Sequence, residues 1–115
     1  MEHILEEINQ TPGVLGSMIV GKDGLVVANI WNQDIDLDMV GADSADILNT
    51  VESILEEKFL FGATRMLSLE AENARLFFRN IDESTFLAVS ATPKCNLGLL
   101  RSEITAAATR LEEEI

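Results

Sequence analysis

Gly16-Ser17-Met18-Ile19-Val20-Gly21-Lys22-Asp23-Gly24 (GSMIVGKDG) fits two incompatible local structures. One is a phosphate-binding loop, whose pattern is Gly, four residues, Gly, Lys and then Ser or Thr. Gly16, Gly21 and Lys22 fit that pattern, but Asp23 stands where the hydroxyl should ligate magnesium, and its carboxylate would repel phosphate oxygens. A phosphate loop also curls its backbone N–H groups round the anion, whereas Met18-Ile19-Val20 favours an extended, pleated backbone. The residues that follow, Leu25–Trp31 (LVVANIW), are strand-like, where the motif demands a helix. The other structure is a β-hairpin. It pairs Val14–Val20 with Leu25–Trp31 across Gly21-Lys22-Asp23-Gly24, and Asp-Gly tolerates the positive φ that such turns need. The hairpin is the structure expected.

Both hairpin strands carry apolar residues at both parities: Met18 and Val20 against Leu15 and Ile19, then Leu25, Val27 and Trp31 against Val26, Ala28 and Ile30. A sheet with two apolar faces must be covered on both. The expected architecture is therefore a three-layer α/β/α sandwich, α/β (α+β) in class. Outward from the hairpin, Glu2–Gln10 predicts a short helix broken by Thr11-Pro12-Gly13. Three strand-like runs, Ala63–Glu70, Ala74–Asn80 and Thr85–Ala91, are separated by AEN and IDES, short enough for hairpins. A final helix is predicted from Asn96, its N-cap, with Leu97, Leu100, Ile104, Ala107, Ala108 and Leu111 as its core face. Its EEEI tail places carboxylates at a helix C-terminus, where the dipole disfavours them, so fraying is expected there. The order is α-β-β-α-β-β-β-α in one domain, residues 1–115, without internal repeat or linker.

The longest helix is predicted from Asp38, as N-cap, to Phe61, with Gly62 as the residue beyond its end. At about 100° per residue, Val40, Ile47, Leu48, Val51, Ile54, Leu55 and Phe59 fall within an arc of roughly 140°, a sheet-packing face. That arc drifts toward a flank of Leu48, Leu55 and Phe59. The outermost line holds Ala42, Ala45, Asn49 and Ser53, with Glu56 beside it. Exposed helix positions usually carry long charged side chains, so a smooth line of small ones is expected to be a partner surface. Asp46, Glu52 and Glu56 would form its acidic rim. The competing explanation is that alanines are simply good helix formers.

The chain has 115 residues, 47% of them apolar, and a net charge of −12. That charge argues against nucleic acid and against anionic membrane surfaces. No apolar run approaches a membrane span, and MEHILEEINQ lacks the features of a signal peptide. A single cysteine, Cys95, excludes an internal disulfide; a cytoplasmic location is the default expectation. No catalytic, cofactor or metal constellation is legible. His3 is the only histidine and is expected to be solvated, and Cys95 has no partner for a zinc site or a dyad. Arg75 and Arg79 alternate with Leu76 and Phe78 and are expected on an exposed or edge face together with Phe77. Trp31 is expected to be a packing residue at a strand end.

The hairpin with Gly16, Gly21, Asp23 and Gly24, the long central helix, and Asn96-Leu97-Gly98…Arg101 before the last helix resemble the Roadblock/dynein light-chain family, most of all its prokaryotic MglB-type regulators of Ras-like GTPases. The resemblance spans Glu2 to Glu113. It implies a five-stranded antiparallel sheet, with the middle helix on one face and the terminal helices on the other. It implies dimers in which the third strand pairs with its mate and the middle helices lie side by side. It also implies a non-enzymatic module that regulates a small Ras-like GTPase, in some members by activating hydrolysis without donating an arginine. A structural light-chain or scaffold subunit, and a small-molecule sensor, are the alternatives. On this basis the homodimer interface is expected at Leu48, Glu52, Leu55 and Phe59 and along Arg65, Met66, Leu67, Ser68 and Leu69. An unpaired edge there would be an aggregation hazard. The partner surface is expected at Ala42, Ala45, Asn49, Ser53 and Glu56.

Overall fold

A computed structural model describes all 115 residues, Met1–Ile115. The elements follow the expected order: α1 (Glu2–Asn9), β1 (Val14–Gly21), β2 (Val26–Trp31), α2 (Leu37–Ser53), a π-helical turn (Ile54–Lys58), β3 (Met66–Glu70), β4 (Arg75–Asn80), β5 (Thr85–Ala91) and α3 (Leu97–Glu114). The strands form one five-stranded sheet in the order β2-β1-β5-β4-β3. Every pair is antiparallel. β2 and β3 are its edges.

The hairpin forms as its residues dictate. Gly16 pairs with Trp31 and Val20 with Val26, and a bulge between Ile19 and Val20 leaves Val27 unpaired. The turn closes through Gly21 N–H to the Leu25 carbonyl at 2.8 Å and Gly24 N–H to the Gly21 carbonyl at 2.9 Å. Asp23 accepts the Leu25 N–H at 3.1 Å, the local bond that makes Asp a turn residue. Gly24 adopts φ 94°, which side chains resist. No amide cradle for phosphate exists here.

The two sheet faces are covered unequally. Ile4, Leu5 and Ile8 of α1 and Leu100, Ile104 and Leu111 of α3 pack on Ile19, Phe77, Leu87 and Val89, a core of 14 buried residues. The opposite face buries only 7, with Ala45 and Leu48 of α2 on Met18, Val20, Phe78, Phe86 and Ala88. The Phe78 and Phe86 rings meet edge-on at 5.5 Å, a favourable arrangement for aromatic pairs. One helix cannot cover five strands, and part of this face stays open.

α3 begins as predicted, with Asn96 Oδ1 accepting the Leu99 N–H at 3.0 Å. It runs to Glu114, where the expected fraying is opposed by the Met1 ammonium at 3.0 Å and His3 at 3.2 Å. α2 differs more. Its N-cap is Asp36, which accepts the Met39 N–H at 3.2 Å, not Asp38. Its regular turns stop at Ser53, before a π-helical turn closed by Phe59 N–H to the Ile54 carbonyl at 3.0 Å. The left-handed residue that ends it is Leu60, φ 59°, ahead of Gly62 at φ 88°. No helix is long and apolar enough to cross a membrane.

Candidate functional site

The hairpin turn and α2 meet closely, and this contact explains the small residues of the helix. A Cβ on Gly41 would lie 2.6 Å from Val26 Cγ2 and 3.2 Å from the Gly24 carbonyl; one on Gly24 would lie 3.1 Å from Ala42 Cα. Asn49 Nδ2 donates to the Lys22 carbonyl at 3.0 Å. Lys22, the lysine of the phosphate-loop resemblance, forms an ion pair with Glu52, and both side chains are mostly buried. Asn80 Nδ2 donates to the other Glu52 oxygen at 3.4 Å. The turn, α2 and β4 are thus tied at one point by charge-assisted hydrogen bonds.

This geometry corrects the expected orientation of α2. Ala45 was expected to face outward and is 2% exposed; Leu48 was expected on a flank and is 1% exposed. The buried face is Gly41, Ser44, Ala45 and Leu48. Ala42 and Asn49 lie toward the hairpin turn, both still exposed, and Ser53 Oγ donates to Glu57 at 3.2 Å. Glu52 is occupied within the protomer rather than presented at a surface. Phe59, expected to pack on the sheet, is exposed, because the π-helical turn rotates it off the helical stripe. Leu55 is half-buried and Glu56 is exposed.

The uncovered side of α2 carries Met39 (60% exposed), Asp43, Asp46, Ile47 (40% exposed), Thr50, Glu56 and Glu57. Val40, Ile47, Val51 and Ile54 recur at helical spacing along the flank opposite the hairpin turn, and none is fully buried. After α2 comes a segment of which sequence reasoning named Phe59, for the sheet-packing arc and the dimer interface, and Phe61 only as a helix end, without marking the run as an exposed apolar patch. Phe59, Leu60 and Phe61 are 58%, 79% and 73% exposed. The two rings lie 5.2 Å apart, and a left-handed Leu60 costs about 1–2 kcal/mol. The signal available was the FLF run itself, three large apolar residues where a helix ends.

On edge strand β3, Met66 and Leu67 are half-buried, while Ser68, Leu69 and exposed Arg65 leave their outer side free. The Arg65 carbonyl accepts Arg79 Nη1 at 3.1 Å. Arg79 and Arg75 are half-buried on the α1/α3 side of the sheet, beside a fully buried Phe77, rather than on an exposed face. Trp31 packs over Gly16, and its Nε1 donates to Gln33 Oε1 at 3.1 Å. In the β4–β5 turn, Asp82 Oδ1 accepts from the Thr85 hydroxyl, the Ser84 N–H and the Thr85 N–H, all at 2.8 Å. The Thr85 hydroxyl, then the Ser84 amide, hold its carboxyl below the ordinary value. Three or more His, Cys, Asp or Glu side chains nowhere converge as a metal site would need.

The architecture, a five-stranded antiparallel sheet with one central helix on one face and two terminal helices on the other, defines an α+β sandwich whose central helix and sheet edge lie open. A model of the Roadblock/LC7 domain matches residues 1–91, and the chain belongs to the Roadblock/LC7 family. It is 34% identical over 112 residues to protein MJ0714 of Methanocaldococcus jannaschii, covering 97% of this chain and 93% of that one. Among solved structures it is similar to a Roadblock/LC7 domain from Streptomyces avermitilis (TM-score 0.90, 17% identity, 99% and 96% of the two chains covered). It is likewise similar to MglB of Myxococcus xanthus (TM-score 0.89, 17% identity, 96% and 90% covered). At those identities the likeness is one of fold.

Proposed function

We propose that this chain is a non-catalytic, dimeric binding module that regulates a small Ras-like GTPase, acting through the uncovered side of α2. The observation that carries this reading is the pairing, on one helix, of uncovered Met39 and Ile47 with a rim of Asp43, Asp46 and Glu57. Exposed apolar residues inside a charged rim are the anatomy of an interface, and the acidic rim suits a partner with a basic patch. Ala42, Asn49, Ser53 and Glu56 form the hairpin-side margin of that surface; Ala45 lies beneath it. The fold shared with MglB and the membership of the Roadblock/LC7 family support the GTPase as the partner class.

The dimer forms through β3 and the apolar flank of α2. Arg65, Met66, Leu67, Ser68 and Leu69 supply the edge, Val51 and Leu55 the flank, and Phe59 an exposed apolar contact just beyond the flank's end. Pairing two edges under a two-fold axis removes an aggregation-prone strand. The interface is expected to bury on the order of 1,200–2,000 Å² in total. Light scattering at micromolar concentration should give a dimer mass.

The decisive experiment is affinity capture from the native lysate, with and without a non-hydrolysable GTP analogue, on the parent protein and on Asp46→Arg. Asp46 is exposed, so the variant should fold and dimerise normally. A small GTPase should be enriched on the parent and lost from the variant, with binding weakened by roughly 2 kcal/mol or more if the position is central. Enrichment of no GTPase, or equal enrichment on both proteins, refutes the assignment.

A further inference from the structure

α2 is fastened to one end of the sheet, at Gly24, Lys22 and Asn80. At the other end, a row crosses all five strands on the same face: Trp31, Gly16, Ser90, Leu76 and Leu69, joined through the registers Gly16–Trp31, Gly16–Ser90, Leu76–Ser90 and Leu69–Leu76. Four of these residues floor an open groove of about 350 Å³, with Gln33 and Arg75 at its rim. Ser90 is 5% exposed and its Oγ has no hydrogen-bond partner. Buried polar groups are seldom left so. The same chain presents Phe59, Leu60 and Phe61 almost uncovered.

The strand between these features relates them by symmetry. β3 is a five-residue edge strand. Antiparallel pairing with β3 of a second copy, centred on Ser68, sets Met66 of one copy opposite Glu70 of the other. The two-fold axis then stands perpendicular to the sheet and keeps both α2 layers on one face. The chain leading into β3 of one copy, Phe59–Arg65, arrives beside the Leu69 end of the other, where the groove opens. We infer that Phe59 and Phe61 of each copy seat in the Trp31–Leu76–Ser90 groove of its mate, so that two reciprocal aromatic plugs lock the dimer. The inference rests on the dimer proposed above and adds an occupant for its open groove.

Trp31 is the only tryptophan, so the groove carries its own reporter. In the dimer, its emission should be blue-shifted and shielded from acrylamide. The double variant Phe59→Ser, Phe61→Ser should red-shift it and raise the dimer dissociation constant at least roughly tenfold. Both rings are exposed in the protomer, so its circular dichroism should not change. In a second arm, a Cys95→Ser, Phe61→Cys chain is mixed with a Cys95→Ser, Ala71→Cys chain and oxidised mildly. A disulfide between the two different chains is the expected product. A dimer that forms no mixed disulfide and keeps its Trp31 emission in the double variant overturns the plug while leaving the dimer standing. A monomer at micromolar concentration overturns both. A small molecule retained in the groove by the native dimer, seen by native mass spectrometry, also overturns it.

Discussion

Replacing Leu48 with alanine tests the orientation of α2 directly. Leu48 is 1% exposed and packs with Met18, Val20, Phe78 and Phe86. Its neighbour Ile47 is 40% exposed on the flank of the same helix. Truncating a fully buried leucine removes its transfer free energy and leaves a cavity, together about 2–5 kcal/mol. With unfolding entropies of about 2.1 cal/mol/K per residue, a chain of 115 residues has a melting entropy near 0.24 kcal/mol/K. A loss of about 3 kcal/mol therefore lowers Tm by roughly 12 °C. Ile47→Ala retains helix propensity and loses a side chain that is already partly hydrated, so its cost is at most about 1 kcal/mol, or about 4 °C. The assay is thermal unfolding of the parent and both variants at one protein concentration, with dimer mass followed by light scattering. If Leu48→Ala melts with the parent and loses only dimer affinity, Leu48 faces a partner and the packing of α2 described above is wrong.

Gly24→Ala should cost about 1–3 kcal/mol in urea unfolding, because it strains a φ of 94° and pushes against Ala42; an unchanged midpoint would mean that the turn does not abut α2. Asp82→Ala should cost about 1 kcal/mol at pH 7, since its three hydrogen bonds are open to solvent. Those bonds favour the carboxylate and lower its folded pKa, so their stabilisation is present above the ordinary value near 3.8 and is lost as pH falls through the folded value. The gap between parent and variant should shrink below that pH, and a gap that widens there refutes the assignment. Calorimetric titration with Mg-ATP and Mg-GTP should give no saturable binding below about 100 μM, because Lys22 is paired with Glu52 and the turn offers no amide cradle.

Much of this protein was fixed by local chemistry. Asp23-Gly24 closes a hairpin wherever two strand-forming runs flank it, and the apolar residues at both parities of those runs demand a cover on each face. Asn96 and the Leu100–Ile104–Leu111 stripe specify α3 within the span of a few turns. The rotation of α2 was not local. Its apolar residues occupy two neighbouring flanks, Gly41–Ala45–Leu48 and Val40–Ile47–Val51–Ile54, and periodicity cannot say which of them meets the sheet. Tertiary contact decided it. The hairpin turn comes so close to the helix that only small residues, Gly41 and Ala42, fit there, which turns the smaller stripe inward and leaves the larger one on the flank, rotated by roughly 60° from the arc that hydrophobicity alone selects. The same holds for Phe59. The chain alone places it one helical repeat beyond Leu55, but a π-helical turn and a left-handed Leu60 carry it out to the surface. Small residues therefore marked a close approach within the protomer, and the aromatic run that closes α2 is exposed because the backbone leaves the regular helical path before reaching it, which a uniform 100° periodicity does not register.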